Sequence, residues 1–432
     1  MPKKNSLDKN GFLASMSPKK NIANLFITVV AVSAAIYTVI AMILGNGRFS
    51  DIFFIRCADF YMDFFNSIRD AAQGSGVYTE RGVIYPPMAN LIYLILSRFT
   101  PSVYNDTSFA ERYSWPEYFS SMMLVVAFTA ACALVYFFIV YSSVEYGSRL
   151  RRFAFAFFAF FSVPVLYLVE RGNIIFITLI ALMIYAVTYN SECKYRRELG
   201  LIYLAFAFSI KLYPVVFGWF LLADKRFKDA ARCALYGLAM LIVPSFFFGG
   251  PICFYHVFLN IFDFSAGSGN TLSVILNYVG MPSVGQSIFT ALVYAWVLIC
   301  GCSFAASPFI RKEKPWKTWA VGLVTILCVP SLTSIYSWAF FIIPLIMICN
   351  RVKNCDKRDI TYAVMMIIPF AFLPFRITFH VSPNMVLVYI MTAVLSIYAV
   401  VDTARDLCAF VADKKAQGVG FGEYMKSLVK ND

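Results

Sequence analysis

Residues 22–44 read IANLFITVVAVSAAIYTVIAMIL, twenty-three positions without a charged side chain. A helix rises about 1.5 Å per residue, so about 20 apolar residues cross the hydrocarbon of a bilayer. The run follows Lys3, Lys4, Lys9, Lys19 and Lys20. It exceeds the apolar stretch of about 7–15 residues found in cleaved leaders and lacks a convincing Ala-x-Ala cleavage site. It reads as a retained first membrane helix that starts from the cytoplasm.

The rest of the chain repeats that pattern. Further spanning runs lie near Tyr118–Tyr141, Phe153–Val169, Ile174–Tyr189, Ala230–Phe248, Ser287–Ala306, Trp316–Val329, Tyr336–Cys349, Ile360–Leu373 and Met385–Val401. Hydrophobic residues make up 60% of the 432 and charged residues 14%, against about 25% charged in a soluble domain. A water-soluble globule could not hide so much apolar surface. The fold class is therefore all-α, a polytopic transmembrane helical bundle with about 10–12 membrane segments. The expected divisions are a cytoplasmic segment over residues 1–21, a transmembrane domain over 22–402 and a cytoplasmic tail over 403–432.

The net charge of +13 comes from 37 Lys and Arg against 24 Asp and Glu. In a soluble protein it would suggest nucleic acid as partner. Here the cations gather in short loops, as the positive-inside rule produces, so membrane lipid and not nucleic acid is the expected surroundings. Those loops hold Arg149, Arg151 and Arg152; Lys194, Arg196 and Arg197; Lys225, Arg226, Lys228 and Arg232; Arg311, Lys312, Lys314 and Lys317; and Arg351, Lys353, Lys357 and Arg358. With all of them in the cytoplasm, Leu199–Leu222, interrupted by Lys211 and Pro214, must begin and end on one side. It reads as two half-helices, and Pro87–Phe99 as a re-entrant or tilted piece facing outside. Irregular backbone at that depth is tolerated where protein buries it or a wet cavity borders it. Both termini are then cytoplasmic, and a multi-pass protein of the plasma (inner) membrane is expected.

Four stretches could carry chemistry. In the first outer loop Asp59, Asp63, Asn66 and Asp70 fall at i, i+4, i+7 and i+11, with Phe60, Phe64 and Ile68 on an adjacent stripe. This predicts an amphipathic helix at the membrane interface, its acids either solvated or directed into a cleft, where a partly desolvated carboxylate suits a general base. Tyr85-Pro86-Pro87 precedes apolar sequence and makes a stiff helix start. Arg171-Gly172-Asn173 is a charged turn whose guanidinium sits at head-group level or binds a phosphate. Lys211, in Ser209-Ile-Lys-Leu-Tyr-Pro214, lies about 12 residues into an apolar run, where an unpaired charge costs several kcal/mol; a bound phosphate or an Asp or Glu in the same cavity is expected as partner, with snorkelling to the interface as the alternative.

No CxxC pair occurs among the eleven cysteines, and His256 and His380 have no ligand-type neighbours, so no metal site is indicated. No nucleotide-binding loop is present and no cofactor is expected.

The order of these stretches, an acidic pair, Tyr85-Pro86-Pro87, Arg171-Gly172-Asn173, then Lys211-Leu212-Tyr213-Pro214 and Asp224-Lys225-Arg226, resembles the polytopic glycosyltransferases of the GT-C superfamily. It is most like glycosyltransferase family 87, whose members use polyprenyl-phosphate-mannose. The resemblance covers roughly residues 51–226, with an echo in Pro330–Pro344, and extends to the catalytic subunit of GPI mannosyltransferase. Family members often carry Gly-Gln where this chain has Gly172-Asn173.

The resemblance implies inverting transfer of a hexose, mannose in the family, from a polyprenyl-phosphate donor to an extracytoplasmic glycolipid or polysaccharide acceptor. It implies Asp59 or Asp63 as general base, Asp59 first. The family pattern has an Asp about four residues before a Tyr, and here Asp63 takes the later position, which keeps both open. Arg171 and Lys211 would hold the donor phosphate, and Tyr85, Asn173, Tyr213 and His380 would contact substrate. A secondary transporter or lipid flippase also uses broken helices and mid-membrane charge. The concentration of acids in an outer loop, and the lack of a visible repeat, favour the enzyme.

Overall fold

The computed structural model describes residues 18–44, 60–100, 119–145, 147–266, 272, 276–277, 279–351, 355–373 and 383–417. Among the described residues every regular element is helical. The first half holds α1 (Pro18–Leu44), α2 (Met62–Ala72), α3 (Pro87–Ser97), α4 (Phe119–Ser143), α5 (Arg149–Phe160), α6 (Val163–Arg171), α7 (Ile175–Thr188) and α8 (Lys194–Ile210). The second holds α9 (Trp219–Ala223), α10 (Phe227–Ser245), α11 (Cys253–Ala266), α12 (Ser283–Ile310), α13 (Pro315–Leu327), α14 (Ile342–Arg351), α15 (Lys357–Ile367) and α16 (Pro383–Ala416).

Five helical stretches among the described residues are long and apolar enough to cross a membrane: Ile22–Ile43, Phe119–Ser143, Phe227–Phe248, Ser283–Ile310 and Pro383–Ala416. Their outward faces are apolar. Val284, Ile288, Leu292 and Leu298 on α12 are each more than half exposed, a surface that lipid and not water accommodates. Four shorter apolar helical segments accompany them: Pro87–Ser97, Ile175–Thr188, Tyr213–Ala223 and Tyr336–Asn350. The architecture is that of an all-α polytopic membrane bundle.

Proline placement explains where the expected runs break. Phe153–Val169 is not one straight helix, because α5 and α6 meet at 54°. Pro164 has no N–H for the carbonyl four residues back, that of Phe160, the residue at which α5 ends. The same rule ends α8 at Ile210, four residues before Pro214. After Lys211 the chain turns through a 3-10 segment, Tyr213–Gly218, into α9 and comes back. Arg226, just beyond α9, donates to the Tyr189 carbonyl at 2.6 Å, and Arg232 pairs with Glu198 near the start of α8. Leu199–Leu222 thus leaves and returns at one end of the bundle, as two half-helices do. With eleven residues, α3 is about 16 Å long, roughly half a hydrocarbon layer.

At the centre lies α7, with eleven of its fourteen residues buried, as expected of a helix apolar all round. It also separates the two ends of the molecule. Asn173 enters it, and Tyr189 leaves it beside Arg226. The Arg226 end carries a buried charge network. Arg311 donates to Asp402 at 2.7 Å and Asp406 at 2.8 Å; Lys317 reaches Asp402 at 2.9 Å; Arg358 reaches Asp402 at 3.0 Å and Asp406 at 2.8 Å. Each carboxylate serves several cations, which offsets the cost of removing these charges from water. The network ties the α12–α13 turn and α15 to α16, which continues past residue 402 to Ala416.

Candidate active site

The site begins at the turn between α6 and α7. Gly172 ends α6 in the left-handed region, φ 60°, with its N–H and that of Asn173 capping the carbonyls of Val169 and Leu168. Glycine is required twice over here. A Cβ on it would stand 2.8 Å from the Phe64 Cβ, so the turn presses directly on α2. Asn173 then accepts from the Ile175 N–H at 2.9 Å through Oδ1, which fixes its amide and aims Nδ2 at Asp63.

Tyr61 adopts φ 58°, its N–H donates to the Glu170 carbonyl at 2.9 Å, and α2 starts at Met62. Asp63 thus stands in the first turn of α2. Of the apolar stripe, Phe60 is exposed and the rest packs inward. Met62, Phe64, Phe65 and Ile68 are buried against α3 and α4, with the Phe64 ring 5.2 Å from that of Phe128 and 6.1 Å from that of Tyr93. That packing presents Asp63 to the α6–α7 turn. Arg171 donates to Oδ1 of Asp63, and Asn173 Nδ2 donates to Oδ2 at 2.7 Å. The side chains of Asp63 and Arg171 each keep 20% exposure.

Tyr85 supplies the next wall. Buried Asn90, on α3, donates to the Tyr78 hydroxyl at 2.8 Å, and that hydroxyl donates to the Tyr85 carbonyl at 3.0 Å. With Pro86 and Pro87 stiffening the entry to α3, these bonds hold the Tyr85 ring in place. Its hydroxyl lies 3.5 Å from Asn173 Nδ2, and its ring faces the Lys211 ammonium at 4.0 Å from the centroid. Lys211 has extended backbone, φ −139° and ψ 134°, because α8 has just ended. No carboxylate among the described residues lies within salt-bridge distance of it, although it feels the charge of Asp63.

Asp63, Arg171, Asn173, Tyr85 and Lys211 are thus brought together from α2, the α6–α7 turn, the entry to α3 and the α8 break. Tyr213 stands two residues beyond Lys211, its ring packed edge-on to Phe340 at 5.8 Å. Asp59 and His380 lie outside the described residues. Three side chains missed from the sequence border the site. Tyr167, one turn before Arg171 and so on the same helix face, stacks on Tyr336, which feels the charges of both Asp63 and Arg171. Tyr93 buries its ring beside Tyr85 at 6.5 Å. The Tyr167–Arg171 spacing was the available signal, and the Pro330–Pro344 echo contains Tyr336. Among the described residues no three His, Cys, Asp or Glu side chains converge as a metal-binding set.

Chemically, the site places a carboxylate, a guanidinium and an ammonium within one set of neighbours at the junction of broken helices. Carboxylates accept protons and the two cations suit a phosphate. The family model of glycosyltransferase family 87 matches residues 84–333, more than half of the 432-residue chain. The match takes in Tyr85, Arg171, Asn173, Lys211 and Tyr213 and leaves Asp59, Asp63 and His380 outside it. Neither a curated protein nor a solved structure matches the chain. An all-helical membrane bundle, motifs assembled in one place and a family match spanning most of them lead to one assignment: this chain belongs to glycosyltransferase family 87 and is a glycosyltransferase.

Proposed function

We propose that the enzyme moves a hexose, mannose by family resemblance, from a polyprenyl-phosphate donor to a glycolipid or glycan acceptor at the extracytoplasmic side of the plasma membrane, with inversion. The observation that carries this reading is Lys211, an ammonium at a helix break that faces the Tyr85 ring with no carboxylate among the described residues in salt-bridge reach. A membrane-embedded cation in that setting calls for an anion, and a lipid-borne phosphate supplies it from within the bilayer. The basic loops at the opposite end of α7 support an outward-facing site with both termini in the cytoplasm.

In this reaction the acceptor oxygen forms a bond to the anomeric carbon as the bond from that carbon to the phosphate oxygen breaks. The bonding pair leaves with polyprenyl phosphate, and the hydroxyl proton passes to Asp59 or Asp63. Lys211 stabilises the charge growing on the phosphate. Arg171 does so as well if donor binding draws it from Asp63. Tyr85, Asn173, Tyr213 and His380 contact the substrates.

Membranes containing the enzyme, incubated with labelled polyprenyl-phosphate hexoses, test the proposal. Label should enter glycolipid or polysaccharide, from the mannose donor above the others. Transfer from a nucleotide sugar in membranes depleted of polyprenyl phosphate, with none from the lipid donors, would reject it.

A further inference from the structure

Tyr167 and Tyr336 have no part in the proton and phosphate chemistry, yet they stand beside it. Their rings are nearly parallel, 16° apart, with centroids 5.8 Å from each other. Tyr336 opens the 3-10 segment Tyr336–Phe341, in which Trp338, Phe340 and Phe341 are at most 1% exposed. Tyr336 and Tyr167 are both only partly buried. Core packing thus buries the later residues of the segment, whereas Tyr336, at the edge of that core, stays partly exposed. The Ser334 hydroxyl, two residues before Tyr336, lies within 2.7 Å of the Ser337 hydroxyl, so hydroxyl groups flank Tyr336 on both sides in the chain. Tyr167 precedes Arg171 by one turn of α6, and Arg171 is bonded to Asp63, so the stacked pair stands beside that ion pair.

A pyranose ring has one face of C–H bonds and a rim of hydroxyls. It is matched by an aromatic face, which attracts the C–H groups, edged with hydrogen-bonding side chains. We propose that Tyr336, backed by Tyr167, is the platform on which a hexopyranose ring of the acceptor lies, next to the Asp63–Arg171 pair. Assigning that sugar to the acceptor rests on the transfer reaction proposed above; the stacking of a hexopyranose on Tyr336 does not. Tyr167 is a positioning residue that keeps the Tyr336 ring in one orientation.

Saturation-transfer difference NMR on the full chain in lipid nanodiscs tests this, with the methyl α-glycosides of mannose, glucose and galactose as probes. At least one glycoside should receive saturation on its ring C–H protons. Tyr336→Leu should weaken its binding by about fivefold or more, whereas Tyr336→Phe, which keeps the ring, should hold it within about twofold. Tyr167→Leu should fall between them. Farnesyl phosphate binding, measured on the same samples, should survive all three substitutions. Equal glycoside binding by wild type and Tyr336→Leu overturns the proposal. If Tyr336→Leu loses both ligands through misfolding, a diazirine-bearing methyl hexoside on the wild-type protein decides. Crosslinking to the peptide that holds Tyr336 supports the platform, and crosslinking confined to other peptides rejects it. Glycoside binding at Tyr336 without transfer from any lipid donor would sink the donor assignment alone; the reverse result would sink only the platform.

Discussion

The Lys211 ammonium stands 4.0 Å from the centroid of the Tyr85 ring. A cation over an aromatic face gains about 0.5–2 kcal/mol, too little to offset removing an ammonium from water at that depth. The remainder is expected from substrate. Lys211→Met should therefore lower kcat/KM for a polyprenyl-phosphate hexose by about a hundredfold or more, with most of the loss in donor binding. Tyr85→Leu should cost less, about three- to thirtyfold, because it removes the ring and leaves the charge. Steady-state kinetics with the labelled donor separates the two. Unchanged donor affinity in Lys211→Met would exclude the phosphate role.

Asp63 has one oxygen engaged by Arg171 and the other by Asn173, so both are already committed to hydrogen bonds that hold the α6–α7 turn against α2. Substituting each acid in turn separates base from scaffold. Loss of the general base should lower kcat by about a hundred- to ten-thousandfold with little change in donor KM. If Asp59 is the base, Asp59→Asn should show that pattern. Asp63→Asn should instead release Arg171 and disturb donor KM and kcat together. The opposite assignment of the two profiles would make Asp63 the base. Full transfer by both variants would leave no carboxylate from this loop in the reaction.

Away from the site, Asp356 caps α15 in a reciprocal capping box with Asp359, accepting from the Asp359 N–H at 2.8 Å and from the Lys314 ammonium at 3.1 Å. Partial burial opposes its ionisation, but these partners outweigh it and hold the carboxyl down at about 2. Its folded value lies below the ordinary 3.8, so the stabilisation is complete above about pH 4 and is lost as the pH falls toward 2. Asp356→Asn should flatten the acid limb of a thermal-stability profile between those values and lower the Tm at neutral pH, because Asn keeps the cap but not the charge that faces Lys314. An unaltered acid limb would remove Asp356 from acid sensitivity.

The membrane bundle was legible from apolar runs such as Ile22–Leu44, because lipid demands uninterrupted length. The half-helix pair was legible because Pro214 and the flanking cations leave few other paths. Helix ends were less legible where tertiary contact decides them. The start of α2 at Met62 is one such end, since the Tyr61 N–H bonds the Glu170 carbonyl from another part of the chain. Arg171, Asn173 and Lys211 stood out as polar groups in apolar surroundings. Tyr167 and Tyr336 did not, because an aromatic residue in an aromatic-rich membrane protein carries no signal until its neighbours are known. The Arg171–Asp63 bond, across 108 residues of chain, depends on packing that no local pattern encodes.

That packing turns on Gly172, which predicts the most informative single substitution. Gly172→Ala adds one methyl group at φ 60°, where L-residues are strained, and sets it 2.8 Å from the Phe64 Cβ. Phe64 is fully buried between Tyr93 and Phe128 and has little room to retreat, so α2 must move. The change should destabilise the protein by about 1–3 kcal/mol, seen as a lower Tm in detergent or nanodiscs. It should also lower kcat more than a comparable loss of stability elsewhere, since α2 carries Asp63 and the displaced turn carries Arg171 and Asn173. Asp356→Asn at neutral pH gives that reference, a loss of stability at the opposite end of the bundle. Phe64→Gly in the Gly172→Ala background removes the Cβ that the new methyl group meets and should recover part of the lost kcat despite its own packing cost. A double variant no better than Gly172→Ala alone would place the damage in the backbone of the turn, and not in its contact with α2.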